Sequence, residues 1–148
     1  GYQSVSLALI REPQYVRNIQ AWPDAVEQKC REKANERIGA DFTLELRIIG
    51  LNATLGAQDR NALIGSEVGV LGIITAPSEI VAKEVSKMLN PYLLHHTLTD
   101  DEEMPTFAFP FSPNEMNRGE IYEFCLNHLM ELDDPMQAFS LSVEQVRA

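Results

Sequence analysis

Apolar and polar residues alternate near the start of the chain, which is the pattern of a β-strand with one buried and one wet face. In residues 4–10 the larger apolar side chains occupy every second position, at Val5, Leu7 and Leu9, between small residues. Pro13 cannot continue a strand ladder. We therefore predict a first strand over residues 4–10.

Two further strands are expected in the middle of the chain. Residues 42–49 alternate strictly, so one face is predicted to be buried and the other wet. Residues 67–75 are apolar on both sides, which is typical of a central strand. The segment 50–66 between them is rich in Gly, Asn and Asp, and its length makes it a candidate functional loop.

The first predicted helix spans residues 18–38. Its apolar residues recur every four positions and line one face; they are Trp22, Val26, Cys30, Ala34 and Ile38. Proline is tolerated only in the first turn of a helix, so Pro23 places the regular start near that residue.

The second predicted helix spans residues 78–93, with Ser78 as its N-cap. Its predicted apolar stripe consists of Val81, Val85, Met88 and Tyr92. Pro91 is expected to distort or end this helix, because proline removes a backbone donor.

The last third of the chain is less regular. Residues 97–120 are predicted to be irregular, and residues 121–132 fit both strand alternation and a helical stripe. We interpret 121–130 as a strand and expect another short strand near residues 139–143. Residues 133–148 form a tail in this interpretation.

The resulting order is strand, helix, strand, strand, helix, strand. It predicts an α+β fold of the ferredoxin-like split βαβ type, with two helices on one face of an antiparallel sheet. Residues 121–130 would then form a fourth strand at the edge of the sheet. Because few charges protect that segment, we expect it to pair with a second protomer, a companion subunit or an upstream domain. The alternative is that the tail covers the edge within the chain.

Composition excludes several classes of protein. The net charge of −10 disfavours binding to DNA or RNA, and residues 97–148 carry eleven Asp and Glu against two Arg. No apolar run is long enough to span a bilayer. The two cysteines, Cys30 and Cys125, form no disulfide framework, which favours a reduced, cytoplasmic compartment.

Candidate chemistry is sparse. His95 and His96 precede the acidic run 100–103, but adjacent histidines diverge and match no standard metal spacing. His128 is interpreted as a core or interface histidine, and Cys30 as a buried, inert thiol. No nucleophile, base and oxyanion donor come together, so we expect no cofactor, no metal and no catalysis by this chain alone.

Aromatic residues offer the remaining candidate surface. Phe107, Phe109 and Phe111 alternate around Pro110 and could line a binding wall, although packing against the sheet is the favoured interpretation. The residues assigned to ligand or partner binding are Phe107, Phe109, Phe111, Tyr122, Phe124, Leu126 and His128.

Three stretches carry a family resemblance: IREPQYV at 10–16, TFAFPFSP at 106–113 and YEFCLNHLM at 122–130. Together they resemble the C-terminal region of the acyclic terpene utilisation (AtuA-like) family, long described as a domain of unknown function. The resemblance implies a ferredoxin-like C-terminal module of a longer protein, as the initial Gly1 also suggests. It further implies a setting in bacterial catabolism of acyclic terpenes through acyl-CoA intermediates. It supplies no catalytic residues.

Three functions follow as hypotheses. The first is a non-catalytic assembly or partner-docking domain, forming a homo-oligomer or holding a companion subunit. The second is a small-molecule-binding regulatory domain. The third is a contribution to an active site shared with an upstream domain, through His128 or His95.

Overall fold

A four-stranded antiparallel sheet carries the helices on one of its faces. The computed structural model describes residues 1–55, 65–105, 107–123 and 131–146. The elements in chain order are β1 (Tyr2–Ile10), α1 (Pro13–Arg17), α2 (Trp22–Arg37), β2 (Thr43–Ile49), β3 (Val68–Ala76), α3 (Glu79–His95) and β4 (Met116–Glu120). A 3-10 turn at Pro135–Ala138 follows.

The sheet order is β2-β3-β1-β4, with every neighbouring pair antiparallel. This is the ferredoxin-like arrangement, and it confirms the predicted fold class. The predicted strands at 4–10, 42–49 and 67–75 are also present, each within about two residues of the expected bounds. The short helix α1 was not predicted, and it buries Tyr15 and Val16 before the chain enters α2.

The predicted face of α2 is correct. Four residues of the predicted stripe are buried, from Trp22 through Val26 and Cys30 to Ala34, whereas Ile38 follows the helix and is half-buried. The Trp22 indole Nε1–H donates to the carbonyl of His96 at 2.9 Å, which ties the start of α2 to the end of α3.

In β1 the buried side is the one that carries the small residues, which alternation alone could not predict. Ser4 and Ser6 are fully buried, and the two hydroxyl oxygens of Ser6 and Ser86 lie 2.9 Å apart between β1 and α3. The expectation of a wet face for the small residues is therefore wrong. Small side chains allow α3 to approach closely, and their hydroxyls hydrogen-bond within the chain, so burial costs little.

Helix α3 is rotated relative to the predicted stripe and is longer than expected. Its buried residues are Ala82, Val85, Ser86, Leu89 and Leu93, whereas Val81, Met88 and Tyr92 are half-buried. Ser78 is the N-cap, as predicted, and its hydroxyl accepts from the Val81 N–H. Pro91 lies inside the helix and does not end it, because Leu89 and Leu93 on either side are held in the core.

The fourth strand is Met116–Glu120, within the segment predicted to be irregular, so its predicted position at 121–130 is wrong. Ile121–Glu123 follow the strand, and residues 124–130 lie outside the described residues. The polar sequence MNRGE has no alternation to reveal it. The strand is held in position by backbone hydrogen bonds to β1, and the pairing has a register shift between Gln3 and Ser4.

Strand β4 pairs only with residues 2–5 of β1, and other parts of the chain hydrogen-bond to Leu7 and Leu9 on the same edge of β1. The Leu7 N–H donates to the buried Asn114 side chain at 3.4 Å. Leu9 and Ala108 exchange both backbone hydrogen bonds, at 2.7 and 3.1 Å. Residues 107–115 thus occupy backbone groups of β1 that have no partner in β4.

Gly72 tests how closely α3 packs on the sheet. A Cβ atom added there would lie 2.5 Å from Cδ2 of Leu89, which is fully buried and cannot swing away. We expect Gly72→Ala to lower the free energy of unfolding by about 1–3 kcal/mol, measured by urea denaturation.

Gly69→Ala is the matched control, because it lies on the same strand but faces away from the helices. Its added Cβ would lie 3.2 Å from Cδ1 and 3.3 Å from Cβ of Ile49, which is 46% exposed, so a much smaller shift is needed there than at Gly72. Equal losses of stability in the two variants would contradict close packing of α3 on Gly72.

Candidate functional site

The face of the sheet opposite the helices is apolar at its centre. Residues of β1 and β3 that point away from α3 pair across the two strands, with Val5 opposite Ile73 and Leu7 opposite Leu71. Leu9 extends this patch next to Gly69. We call the patch formed by Val5, Leu7, Leu9, Ile49, Leu71 and Ile73 the open sheet face. Four of these side chains are half-buried, Val5 is buried and Ile49 is exposed.

Polar residues border the open sheet face on β2. Arg47 and Glu45 form an ion pair of 2.8 Å, and both side chains are about half exposed. Exposed pairs of this kind contribute roughly 0–1 kcal/mol, so the border adds solubility more than stability. At one end of the sheet Gln3, Thr75 and Thr43 lie side by side across three strands.

The edge at β2 is partly closed to pairing with another strand. The Arg31 guanidinium donates to the Leu44 carbonyl at 2.6 Å. The Ile48 N–H donates to Oδ1 of Asn52 at 2.8 Å, and the Ile48 carbonyl accepts from residues 51–53. These partners occupy the Leu44 carbonyl and both backbone groups of Ile48, which reduces the part of the β2 edge available for β-augmentation.

The edge at β4 carries the protection that the sequence interpretation did not expect. The strand is short, polar and exposed, and it has a register shift, which are the usual means of discouraging edge pairing. Asn117 donates to a carboxylate oxygen of Glu79, and Gly119 adopts a positive φ of 72°. The described part of this edge is therefore a poor docking strand.

The aromatic candidates do not form one wall. Phe107 is 7% exposed and lies in the core, where its ring meets Trp22 edge-to-face at 5.7 Å and Tyr15 at 4.9 Å. It is unavailable to a ligand, as the packing interpretation favoured. Phe109 and Phe111 are half-buried, and Tyr122 is 88% exposed. Phe124, Leu126 and His128 lie outside the described residues.

The two adjacent histidines have structural partners. Nδ1 of His95 lies 2.8 Å from the Pro105 carbonyl oxygen, and the imidazole of His96 lies 6.4 Å from the Trp22 ring. Burial, with a smaller effect from Lys29, lowers the pKa of His96. Within the described ranges no three His, Cys, Asp or Glu side chains are placed to hold a metal ion.

The acidic run after α3 also has a packing role. Glu102 accepts hydrogen bonds from the Tyr15 hydroxyl at 3.0 Å and from the Leu98 N–H at 3.2 Å. Burial, together with Glu102, raises the pKa of Tyr15, so the phenol stays protonated as a donor. This carboxylate fastens the segment after α3 to α1.

The tail is extended and exposed, and the strand predicted near residues 139–143 is absent from it. Asp134 caps the 3-10 turn at Pro135–Ala138, and its carboxylate accepts from the Met136 N–H at 2.9 Å. Beyond the turn Phe139, Leu141 and Val143 are 71–89% exposed. The described tail, residues 131–146, does not cover an edge of its own sheet. We call it the C-terminal arm.

No family model, curated protein or solved structure matches the chain. No helix within the described part of the chain is long and apolar enough to cross a membrane. The surfaces themselves therefore carry the functional inference.

Cys30 is fully buried on the inner face of α2. Burial raises the pKa of its thiol to about 11, so the reactive thiolate is scarce at pH 8. In a Cys125→Ser variant, which leaves Cys30 as the remaining thiol, we expect almost no reaction with a disulfide reagent at pH 8 in the folded state. Full reaction is expected after denaturation. Rapid modification of the folded variant would disprove an inert role for this thiol.

Proposed function

We propose that this chain is a non-catalytic assembly domain whose open sheet face packs against a second copy of itself. On the strength of the family resemblance alone, we further propose that the domain belongs to the C-terminal part of a longer, cytoplasmic acyclic terpene utilisation-like protein in bacterial terpene and acyl-CoA catabolism. In that setting the domain holds catalytic units together instead of supplying reacting groups.

The observation that carries the proposal is the apolar centre of the open sheet face. Helices cover one side of the sheet, and the other side presents Leu7, Leu71 and Ile73 in adjacent positions. Two such faces can stack about 10 Å apart with interdigitating side chains. Burial of apolar surface contributes roughly 25 cal/mol per Å², which makes this face the natural site of association.

The two edges of the sheet are poor sites for pairing with another strand, which also favours association through the open sheet face. Partners of the β2 backbone and the polar sequence of β4 discourage strand addition at either end of the sheet. We therefore propose association through the face. The pairing expected of segment 121–130 stays a prediction, because residues 124–130 lie outside the described residues. A companion subunit or an upstream domain with an apolar sheet would meet the same surface.

Leu71→Glu tests the proposal. Leu71 lies between Leu7 and Arg47 at the centre of the face, so a carboxylate there would be buried in a dimer but solvated in a monomer. We expect wild type to sediment as a dimer and Leu71→Glu as a folded monomer, with sedimentation velocity as the measurement and circular dichroism as the check on folding.

Thr75→Glu is the control for added charge. Thr75 lies on the same strand and the same side, but between Gln3 and Thr43 at the polar end of the sheet. We expect this variant to remain dimeric, because a charge at a polar border stays hydrated. Monomeric wild type at the highest attainable concentration would refute the proposed function.

A further inference from the structure

A shallow cationic groove runs between α2 and α3 on the helical side of the domain. It encloses about 440 Å³. Its lining consists of Lys33 and Arg37 from α2 and of Glu84, Lys87, Met88, Pro91 and Tyr92 from α3. Met88 and Tyr92 are half-buried and form an apolar floor. They are half-buried because α3 turns a different set of residues into the core, namely Ala82, Val85, Ser86, Leu89 and Leu93.

Three cations and one carboxylate line the groove, so its net charge is positive. Lys87 pairs with Glu84 at 2.8 Å. Lys33 and Arg37 form no ion pair with any residue that the structure describes. Lys29 lies one helical turn before Lys33, so α2 carries Lys29, Lys33 and Arg37 as a continuous stripe. This stripe stands out on a chain whose net charge is −10.

The C-terminal arm has the opposite character. Residues 131–146 contain four carboxylates, at Glu131, Asp133, Asp134 and Glu144, and no Lys or Arg. They also expose apolar side chains, with Met136 at 65% and Leu141 at 89%. An extended segment that is both acidic and apolar matches a groove that has cationic walls and an apolar floor.

We propose that the C-terminal arm of one copy docks in the cationic groove between α2 and α3 of a second copy. This inference rests on the proposed self-association and specifies a second contact within it, on the side of the domain opposite the open sheet face. Asp133 and Asp134 face Lys33 and Arg37, while apolar residues of the arm cover Met88 and Tyr92. Apart from the 3-10 turn at Pro135–Ala138, the described arm is extended and exposed, so little structure is lost when it docks.

Zero-length cross-linking of carboxylates to amines tests this contact directly. Full-length chains with ¹⁴N and ¹⁵N are mixed, equilibrated and treated with a carbodiimide, and the joined peptides are identified by mass spectrometry. We expect mixed-isotope links from Asp133 or Asp134 to Lys33 or Lys87. Absence of such links, or links confined to chains of one isotope, would overturn docking on a second copy.

Charge reversal supplies the energetic test. In Lys33→Glu/Arg37→Glu we expect the dimer dissociation constant to rise about tenfold, since two weak ion pairs become repulsive. Asp133→Lys/Asp134→Lys should have a similar effect, and an equimolar mixture of the two double variants should restore affinity. Arg11→Glu/Arg17→Glu is the control, because it changes the charge equally at exposed positions outside the groove.

The experiments distinguish loss of the arm contact from loss of the contact through the open sheet face. If Leu71→Glu abolishes dimers while the groove variants match wild type and no mixed links form, the open sheet face stands and the arm contact is refuted. If wild type is monomeric and no mixed links form, both are refuted.

Discussion

The close approach of α3 to the centre of the sheet is the constraint on which the rest of the structure depends. Ser6 and Gly72 lie opposite each other on the helical side, under Ser86 and Leu89. Only residues this small leave room for a helix backbone at that distance. Because strand side chains alternate, placing the small residues beneath α3 forces the larger apolar residues of β1 onto the other face.

This packing explains both surfaces that carry the functional proposals. Val5, Leu7 and Leu9 reach the open sheet face because Ser4, Ser6 and Ala8 occupy the helical side. The same rotation of α3 that buries its small residues leaves Met88 and Tyr92 beside α2, where they form the floor of the cationic groove. One side of the sheet thus presents an apolar face, and the helical side carries the groove lined by Lys33, Arg37 and Lys87.

The strand edges show why assembly through the face is favoured. Backbone groups at an edge are a hazard only while they lack partners. At β2 the partners come from Arg31 and Asn52, and at β1 beyond β4 they come from Asn114 and Ala108. The contacts at β1 join residues about 100 positions apart, whereas those at β2 are more local, and together they leave fewer free backbone groups at both edges.

Local sequence patterns were enough to predict the kinds and order of the main elements, apart from the short helix α1 and the position of the fourth strand. The stripe from Trp22 to Ala34, the cap at Ser78 and the apolar run of β3 each follow from local periodicity or local hydrogen bonding. Periodicity identifies which residues share a side, but not which side is buried. That depends on the volume available beneath a helix, so the buried serines of β1 and the rotation of α3 were decided by tertiary packing. The fourth strand, Met116–Glu120, is polar and has no periodic signal, because its position is set by backbone hydrogen bonds to β1 at the other end of the chain.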